Sequence, residues 1–226
     1  MKILFISGFD THPDEQHGSD LYTPFELHFR FSGDDIEFFR YKTTEPLDYV
    51  YRRLTDILDM KKHDYIICHS MGSGLAIKYI RDTGDKRRFV LCMPYIQVTS
   101  MVRFLSKVPL IRYLYLPKCC LIPNYNLFEG GNLLNDEITL ISCDQVYSVI
   151  HDIFLSDDEL VDTINTNNIH IIYATNEQVS PIDYAILSQI KADRLSYSKG
   201  KHMAFCNTYQ MGDFFDVFSN VLKKDI

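Results

Sequence analysis

The amino-acid sequence predicts an α/β protein with a mostly parallel central sheet and helices on both faces. Short apolar segments alternate with segments of helical period, which is typical of βαβ units and a parallel sheet. The 226 residues amount to about 1.5 average domain lengths, and no run of about 20 apolar residues is present. We therefore expect one domain over residues 1–226, with a cap or lid insertion at 97–164.

Six short apolar segments, rich in β-branched or aromatic residues, are predicted to be the strands. They are Lys2–Phe9, Asp35–Tyr41, Asp64–His69, Arg88–Tyr95, Ile169–Ala174 and a weaker Arg194–Ser198. Such segments are typical of strands when turn-forming residues bound them. Because helical patterns lie between several of these segments, we expect the strands to be mostly parallel.

Three segments show the signals of a helix. The clearest follows Pro46, which suits the first turn of a helix. Its apolar residues recur three and four positions apart: Leu47, Val50, Tyr51, Leu54, Ile57 and Leu58. The other two helices are predicted from Ser73 to Gly84 and over Phe214–Leu222.

The segment at 97–164 breaks this alternation, and we predict a mainly helical cap there. Its first part, Met101–Pro123, holds four cations, three prolines and no acidic residue. A turn rich in glycine and asparagine follows at 129–132, and a helical stretch is expected from there to about Ile164. We interpret this block as an insertion between two strands of the sheet.

Composition and charge exclude several classes of protein. The net charge of −7 argues against a nucleic-acid-binding protein, which would carry a basic patch. The apolar run Ile3–Ile6 is too short for the apolar region of a signal peptide. The six cysteines form no C-x-x-C pair, so we interpret them as reduced thiols and expect a cytoplasmic location.

The segment around Ser70 is the strongest functional signal. The predicted strand Asp64–His69 runs into Ser70, and small residues follow where a helix should begin. This order is typical of a nucleophile elbow, G-x-S-x-G, in which a strained turn raises the serine hydroxyl above the sheet. Gly72 takes the second small position, whereas Cys68 replaces the first glycine. We predict Ser70 as a nucleophile, the alternative being an ordinary strand–turn–helix connection.

The predicted nucleophile needs a base, and the base needs an acid that orients it. His202 is the candidate base, because it follows the last predicted strand and is the only histidine in the final 50 residues. Glu177, the first carboxylate after the strand Ile169–Ala174, is the candidate acid. Asn176 is an alternative that would orient the ring without a charge, and Asp183 is expected to lie inside the following helix.

Together these motifs resemble the α/β-hydrolase superfamily, in a small form close to serine esterases. The segments 68–72, 173–181, 199–203 and 7–9 resemble its G-H-S-M-G elbow, its acid loop, its G-x-x-H loop and its H-G-[FW] turn. The resemblance spans nearly the whole chain except the insertion. Three positions depart from the family pattern, since Ser7 replaces histidine, Cys68 replaces glycine and Glu177 replaces the usual aspartate.

The resemblance implies a catalytic triad in the chain order Ser70, Glu177, His202. It also implies an oxyanion hole made of two backbone N–H groups. One belongs to Met71, directly after the nucleophile, and the other to Phe9 in the first turn. We expect hydrolysis of a small-molecule carboxylic ester or thioester through an acyl-enzyme on Ser70.

Three alternatives to ester or thioester hydrolysis stay open at this point. The same triad would support acyl transfer or C–C bond hydrolysis, and the departures at Ser7 and Cys68 would allow a decayed binding or scaffolding protein. The apolar cap favours a lipophilic acyl group, and a transient lipid or membrane contact through 101–123 would use its cations. Packing of the cap and solvation of those cations would explain the same composition.

No cofactor or metal is expected. The loop His12–His17 holds four potential metal ligands, but its spacing is not H-E-x-x-H, and we interpret it as a polar rim of the active site. Gly72 and Gly74 precede no Gly-Lys-Ser/Thr sequence, which argues against a phosphate-binding loop.

Overall fold

A six-stranded parallel sheet forms the centre of the protein. The computed structural model describes residues 1–8, 22–42, 45–97, 108, 113–117, 140–148, 152–206 and 209–223. The strands are β1 (Lys2–Ile6), β2 (Asp35–Phe39), β3 (Tyr65–His69), β4 (Arg88–Cys92), β5 (Tyr115–Pro117), β6 (Leu140–Ser142), β7 (Ile169–Ala174) and β8 (Leu195–Ser198). The order in the sheet is β2-β1-β3-β4-β7-β8, and every neighbouring pair is parallel. The predicted fold class is confirmed.

Helices connect most strands of this sheet. They are α1 (Thr23–Phe31), α2 (Leu47–Met60), α3 (Met71–Thr83), α4 (Cys143–Ser148), α5 (Asp157–Thr166), α6 (Tyr184–Leu187) and α7 (Met211–Lys223). The helix predicted after Pro46 is confirmed as α2, and the helix predicted to end at Gly84 is confirmed as α3. Gly84 ends α3 in the left-handed conformation, at φ 67°, which a glycine adopts without a steric penalty.

The alternation of side chains along the strands creates two cores. Leu4 and Ile6 of β1 face one side of the sheet, where α2, α3 and α5 pack against it. Ile3 and Phe5 face the other side, where α1 and α7 supply a cluster of aromatic rings. Both faces of the sheet are therefore covered, as expected when helices connect parallel strands.

Several element bounds differ from the prediction. The strand predicted over Arg88–Tyr95 ends at Cys92, because Met93 adopts a positive φ of 43° and leaves the sheet. The helix predicted from Ser73 already begins at Met71. Asp183 does not lie inside the following helix, and its side chain instead caps the N-terminus of α6 by accepting the backbone N–H of Ala185. Helix α1 was not predicted.

Most of the predicted insertion at 97–164 lies outside the described residues. The described part contains helices α4 and α5, and also an antiparallel pair of three-residue strands, β5 and β6, that the sequence did not predict. The segment 101–123 is described only at 108 and 113–117, so its proposed lipid contact stays a prediction. Within the described ranges, no helix is both long and apolar enough to cross a membrane.

Candidate active site

Ser70 lies at a sharp bend between β3 and α3. Its backbone adopts φ 50° and ψ −122°, a conformation that strains any residue with a Cβ atom. The surrounding backbone holds it there, because Ser70 N–H donates to the Cys92 carbonyl (3.2 Å) and Tyr95 N–H donates to the Ser70 carbonyl (2.9 Å). The half-buried Ser70 therefore stands at the carboxyl edge of the sheet, in the strained conformation that the elbow motif predicts.

Two glycines allow the close packing around this bend. A Cβ atom on Gly72 would lie 2.4 Å from the Ile6 carbonyl oxygen and 2.6 Å from that of Ser7, so only glycine lets α3 approach β1. A Cβ atom on Gly8 would lie 2.9 Å from Ser70 Cβ. The turn after β1 therefore lies directly against the elbow. Cys68 is fully buried in the core on the α3 side of the sheet.

The structure brings His202 and Glu177 into direct contact. Glu177 follows β7, His202 follows β8, and both strands end at the same edge of the sheet as β3. His202 Nδ1 lies 2.9 Å from Glu177 Oε2, and the two side chains are 3% and 0% exposed. Because a carboxylate accepts only, His202 Nδ1 carries a hydrogen, which leaves Nε2 with a free lone pair in the neutral ring. A neutral ring of this tautomer can act as a base.

Backbone groups of the loop after β7 fix the Glu177 carboxylate. Val179 N–H and Ser180 N–H both donate to Oε1, at 2.8 and 3.0 Å. Burial by itself would raise the pKa of Glu177, but the His202 ring and these two N–H groups hold that pKa below its usual value. The buried Ser180 hydroxyl lies 3.3 Å from His202 Nδ1 and donates to the Met93 carbonyl at 3.4 Å. Glu177 therefore stays ionised beside the ring.

The loop that carries His202 is held from two sides. Asn176 N–H donates to the Gly200 carbonyl at 2.9 Å, which joins the loop after β7 to the loop after β8. On the other side, Lys199 N–H donates to Asp213 of α7 at 2.8 Å. Gly200 has φ 115°, and a Cβ atom there would lie 2.2 Å from Gln210 Oε1, so the position requires glycine.

In the part of the chain that the structure describes, no hydrogen bond joins the Asn176 side chain to the His202 ring. Its side-chain oxygen accepts a hydrogen bond from Gln178 at 3.3 Å, and the residue is exposed. Of the two residues considered for orienting the imidazole, the structure places Glu177 there.

His69 places the elbow beside the His202 loop. The two imidazole ring centroids are 4.9 Å apart, and His69 Nε2 lies 3.2 Å from the His202 carbonyl oxygen. Among the described residues, no hydrogen bond joins Ser70 Oγ to the His202 ring. Catalytic hydrogen bonds often tighten only when a substrate binds.

One of the two expected oxyanion donors lies inside the described ranges. Met71 is the first residue of α3, and the first N–H groups of a helix have no partner within that helix. Its N–H is therefore available next to Ser70. Phe9 lies outside the described residues, although its neighbour Gly8 is in contact with the elbow.

Comparison with known proteins finds solved structures of similar fold, and several of them are hydrolases. No family model matches the chain, and no curated protein matches it significantly. One of two metagenome-derived lipolytic enzymes, LipS and LipT, is 11% identical, with a TM-score of 0.62 over 98% of this chain and 93% of its own. A serine hydrolase from Cycloclasticus zankles is 15% identical, with a TM-score of 0.55 over 99% of this chain and 91% of its own.

A haloalkane dehalogenase, DatA from Agrobacterium tumefaciens C58, is 12% identical, with a TM-score of 0.57 over 98% of this chain and 89% of its own. An α/β-hydrolase fold protein from Burkholderia ambifaria also matches, with 10% identity and a TM-score of 0.59 over 98% of this chain and 89% of its own. The protein has the α/β-hydrolase fold. At these sequence identities the similarity supports the fold alone, and the reaction has to be inferred from the site.

Within this α/β-hydrolase fold, sequence reasoning missed three side chains that complete the site. Ser180 and His69 were noted only as parts of motifs, and Tyr22 was not considered. Their positions in the chain offered weak signals, since Ser180 follows Glu177 by three residues and His69 precedes the predicted nucleophile. Tyr22 reaches the site through the packing of its ring and the hydrogen bonds of its hydroxyl, which no sequence pattern reports.

No group of three or more His, Cys, Asp or Glu side chains capable of holding a metal occurs within the described ranges. The loop His12–His17 lies outside them. The cysteines that the structure describes are Cys68, Cys92, Cys143 and Cys206, and all four are free thiols.

Proposed function

We propose that this protein is a serine hydrolase that cleaves a carboxylic ester or thioester of a small molecule. The observation that carries the proposal is the buried contact between Glu177 and His202, whose loop contacts His69, the residue before a serine held at a positive φ. An ionised acid, an oriented imidazole and a strained serine are the three parts that acyl transfer through a serine requires. The lipolytic enzyme and the serine hydrolase of similar fold support the same reaction class.

The proposed reaction begins with attack of Ser70 Oγ on the carbonyl carbon, while His202 Nε2 takes the hydroxyl proton. The negative charge then develops on the carbonyl oxygen, where the Met71 N–H and, by resemblance, the Phe9 N–H stabilise it. Collapse of this intermediate breaks the C–O or C–S bond, and His202 returns its proton to the leaving alcohol or thiol. A water molecule then attacks the acyl-enzyme by the same steps, which releases the acid and restores Ser70.

Labelling with a fluorophosphonate probe, together with turnover of p-nitrophenyl esters from acetate to palmitate, tests this proposal. We expect the wild type to be labelled and active, and Ser70→Ala and His202→Ala to lose both properties while remaining folded. Ser188→Ala, which removes an exposed hydroxyl of another serine, is the matched control and should behave as the wild type.

The same experiment separates the alternatives. An unlabelled wild type that folds normally would contradict the proposal and favour a binding protein with a decayed site. Labelling without turnover of any ester would favour acyl transfer or C–C bond hydrolysis. Higher turnover on long acyl chains would support a lipophilic substrate, whereas a flat dependence on chain length would remove that part of the proposal.

A further inference from the structure

A buried chain of hydrogen bonds runs beside the candidate triad and is not part of it. Gly8 N–H donates to the Tyr22 hydroxyl at 3.1 Å. That hydroxyl lies 2.8 Å from His69 Nδ1, and His69 Nε2 lies 3.2 Å from the His202 carbonyl oxygen. Tyr22, His69 and His202 are 1%, 2% and 2% exposed, so water does not compete for these bonds.

The chemistry of each group fixes which atom donates and which accepts in each of these hydrogen bonds. A carbonyl oxygen only accepts, so His69 Nε2 must carry the hydrogen that faces His202. Burial, reinforced by the neighbouring His202 ring, holds the pKa of His69 well below its usual value, and the ring is therefore neutral. Its Nδ1 then has a lone pair, which accepts the hydrogen of the Tyr22 hydroxyl. The oxygen of that hydroxyl accepts the Gly8 N–H.

These bonds join three separate parts of the carboxyl edge of the sheet. Gly8 belongs to the turn after β1 that lies against Ser70, His69 ends β3, and His202 belongs to the loop after β8. Phe205 packs against both rings of the chain, with centroids 5.7 Å from Tyr22 and 5.0 Å from His69. The rings therefore have little freedom to turn and break the chain.

We propose that Tyr22 and His69 are positioning residues for the reaction, an inference that rests on the proposed function. Neither group touches the reacting atoms. Together they hold the Gly8 turn, which leads to the expected oxyanion donor Phe9, at a fixed distance from the backbone of His202. A displacement of about 1 Å between catalytic groups lowers the rate about a hundredfold. A small shift of the Gly8 turn relative to His202 should therefore lower kcat.

Three single variants interrupt the chain of hydrogen bonds at different points. Tyr22→Phe keeps the ring but removes the hydroxyl, and with it the bonds to Gly8 and to His69. His69→Asn keeps an acceptor for Tyr22 but loses the donor to His202, whereas His69→Gln keeps that donor and loses the acceptor. We expect each His69 variant, which loses one hydrogen bond, to lower kcat about tenfold. Tyr22→Phe loses two and should lower kcat by up to about a hundredfold, with KM changed less than about twofold in all three. Tyr51→Phe, which removes an exposed bond from Tyr51 to Asp82, is the control and should leave kcat unchanged.

Double variants sharpen this test. In His69→Gln the bond from Tyr22 to His69 is already broken, so adding Tyr22→Phe removes only the bond from Gly8 N–H, and kcat should fall by about a further tenfold. Adding Tyr22→Phe to His69→Asn removes both remaining bonds, and kcat should fall again by up to about a hundredfold. A purely structural role would instead lower the melting temperature of all variants and scale kcat with the folded fraction only.

A ¹H–¹⁵N spectrum of the histidine ring nitrogens tests the chain of hydrogen bonds independently of turnover. The His69 signals, assigned by their absence in His69→Gln, should show the neutral Nε2–H tautomer and no titration between about pH 5 and 8. Titration in that range, or the Nδ1–H tautomer, would overturn the inference. Unchanged kcat in Tyr22→Phe would overturn the positioning role alone. A wild type with neither turnover nor labelling would contradict the proposed function, and the positioning role with it.

Discussion

Replacement of Glu177 by glutamine probes the candidate triad while keeping the shape of the side chain. In the wild type, one carboxylate oxygen accepts two backbone N–H groups and the other accepts the His202 Nδ1 hydrogen. Glutamine offers only one oxygen, so it cannot accept from both sides. If that oxygen faces the N–H groups of Val179 and Ser180, the amide nitrogen donates to His202, which must then move its hydrogen to Nε2. That tautomer cannot take a proton from Ser70.

The opposite orientation of the amide would keep the productive tautomer, but it would leave two backbone donors without an acceptor. Each buried unsatisfied donor costs about 1–3 kcal/mol, so the productive orientation lies about 2–6 kcal/mol above the other. This difference corresponds to a loss of about 30-fold to 10⁴-fold in kcat. A carboxylate-to-amide change in the triad of a serine protease loses about 10⁴-fold, near the upper end of this range.

The assay is the turnover of p-nitrophenyl acetate by Glu177→Gln, with the fold checked by circular dichroism. Glu159→Gln is the matched control, because Glu159 also accepts hydrogen bonds through its carboxylate, at the N-terminus of α5. We expect the control to keep the wild-type kcat. A folded Glu177→Gln variant whose kcat stays within about tenfold of the wild type would refute the reasoning.

Two further predictions concern stability. Folding lowers the pKa of Glu177, so its ionised form stabilises the folded protein. This stabilisation is fully present above the unfolded-state pKa of about 4.3. It is lost as the pH falls through the lower pKa of the folded state. The difference in the free energy of unfolding between wild type and Glu177→Gln, measured in urea, should therefore shrink as the pH falls below about 4.3; a constant difference would contradict this linkage. Gly72→Ala should destabilise the protein by about 1–3 kcal/mol, because its Cβ atom would overlap the carbonyl oxygens of Ile6 and Ser7. Gly212→Ala, where a Cβ atom meets nothing within 4 Å, is its control, and equal urea midpoints for the two variants would show the argument wrong.

The strands could be predicted because burial on both faces leaves continuous apolar segments. Ile169–Ala174 is buried along its whole length, and its bounds were predicted correctly. The ends of other strands were predicted too long, because apolar residues continue beyond the sheet. Met93 is fully buried although its backbone has already left β4, and composition does not distinguish these two situations.

Elements that depend on distant partners were missed. Helix α1 contributes only Phe25 and Phe29 to its buried face, whereas Phe31 is 87% exposed, so the sequence shows no clear apolar stripe. Strands β5 and β6 have three residues each and exist through their mutual pairing. The local sequence pattern therefore carries little information about helix α1 or about strands β5 and β6.

The candidate site could be predicted because its residues follow strands that end at one edge of a parallel sheet. Ser70, Glu177 and His202 lie in turns after β3, β7 and β8, where chain order and residue type are informative. The contact between Tyr22 and His69 joins residues that are 47 positions apart, and it depends on how α1 packs against the sheet. Such a contact follows from three-dimensional packing, which the sequence does not display directly.

The positions that depart from the family pattern each have a local physical explanation. The Ser7 hydroxyl donates to the Phe39 carbonyl at 2.8 Å, which ties the turn after β1 to the end of β2. Burial raises the pKa of the Cys68 thiol well above its usual value, so the thiol stays neutral and does not compete with Ser70 as a nucleophile. Glu177, one methylene longer than aspartate, reaches two N–H groups of its own loop as well as His202. The departures therefore keep the groups that acyl transfer would require, which supports the proposed hydrolase over a binding protein with a decayed site.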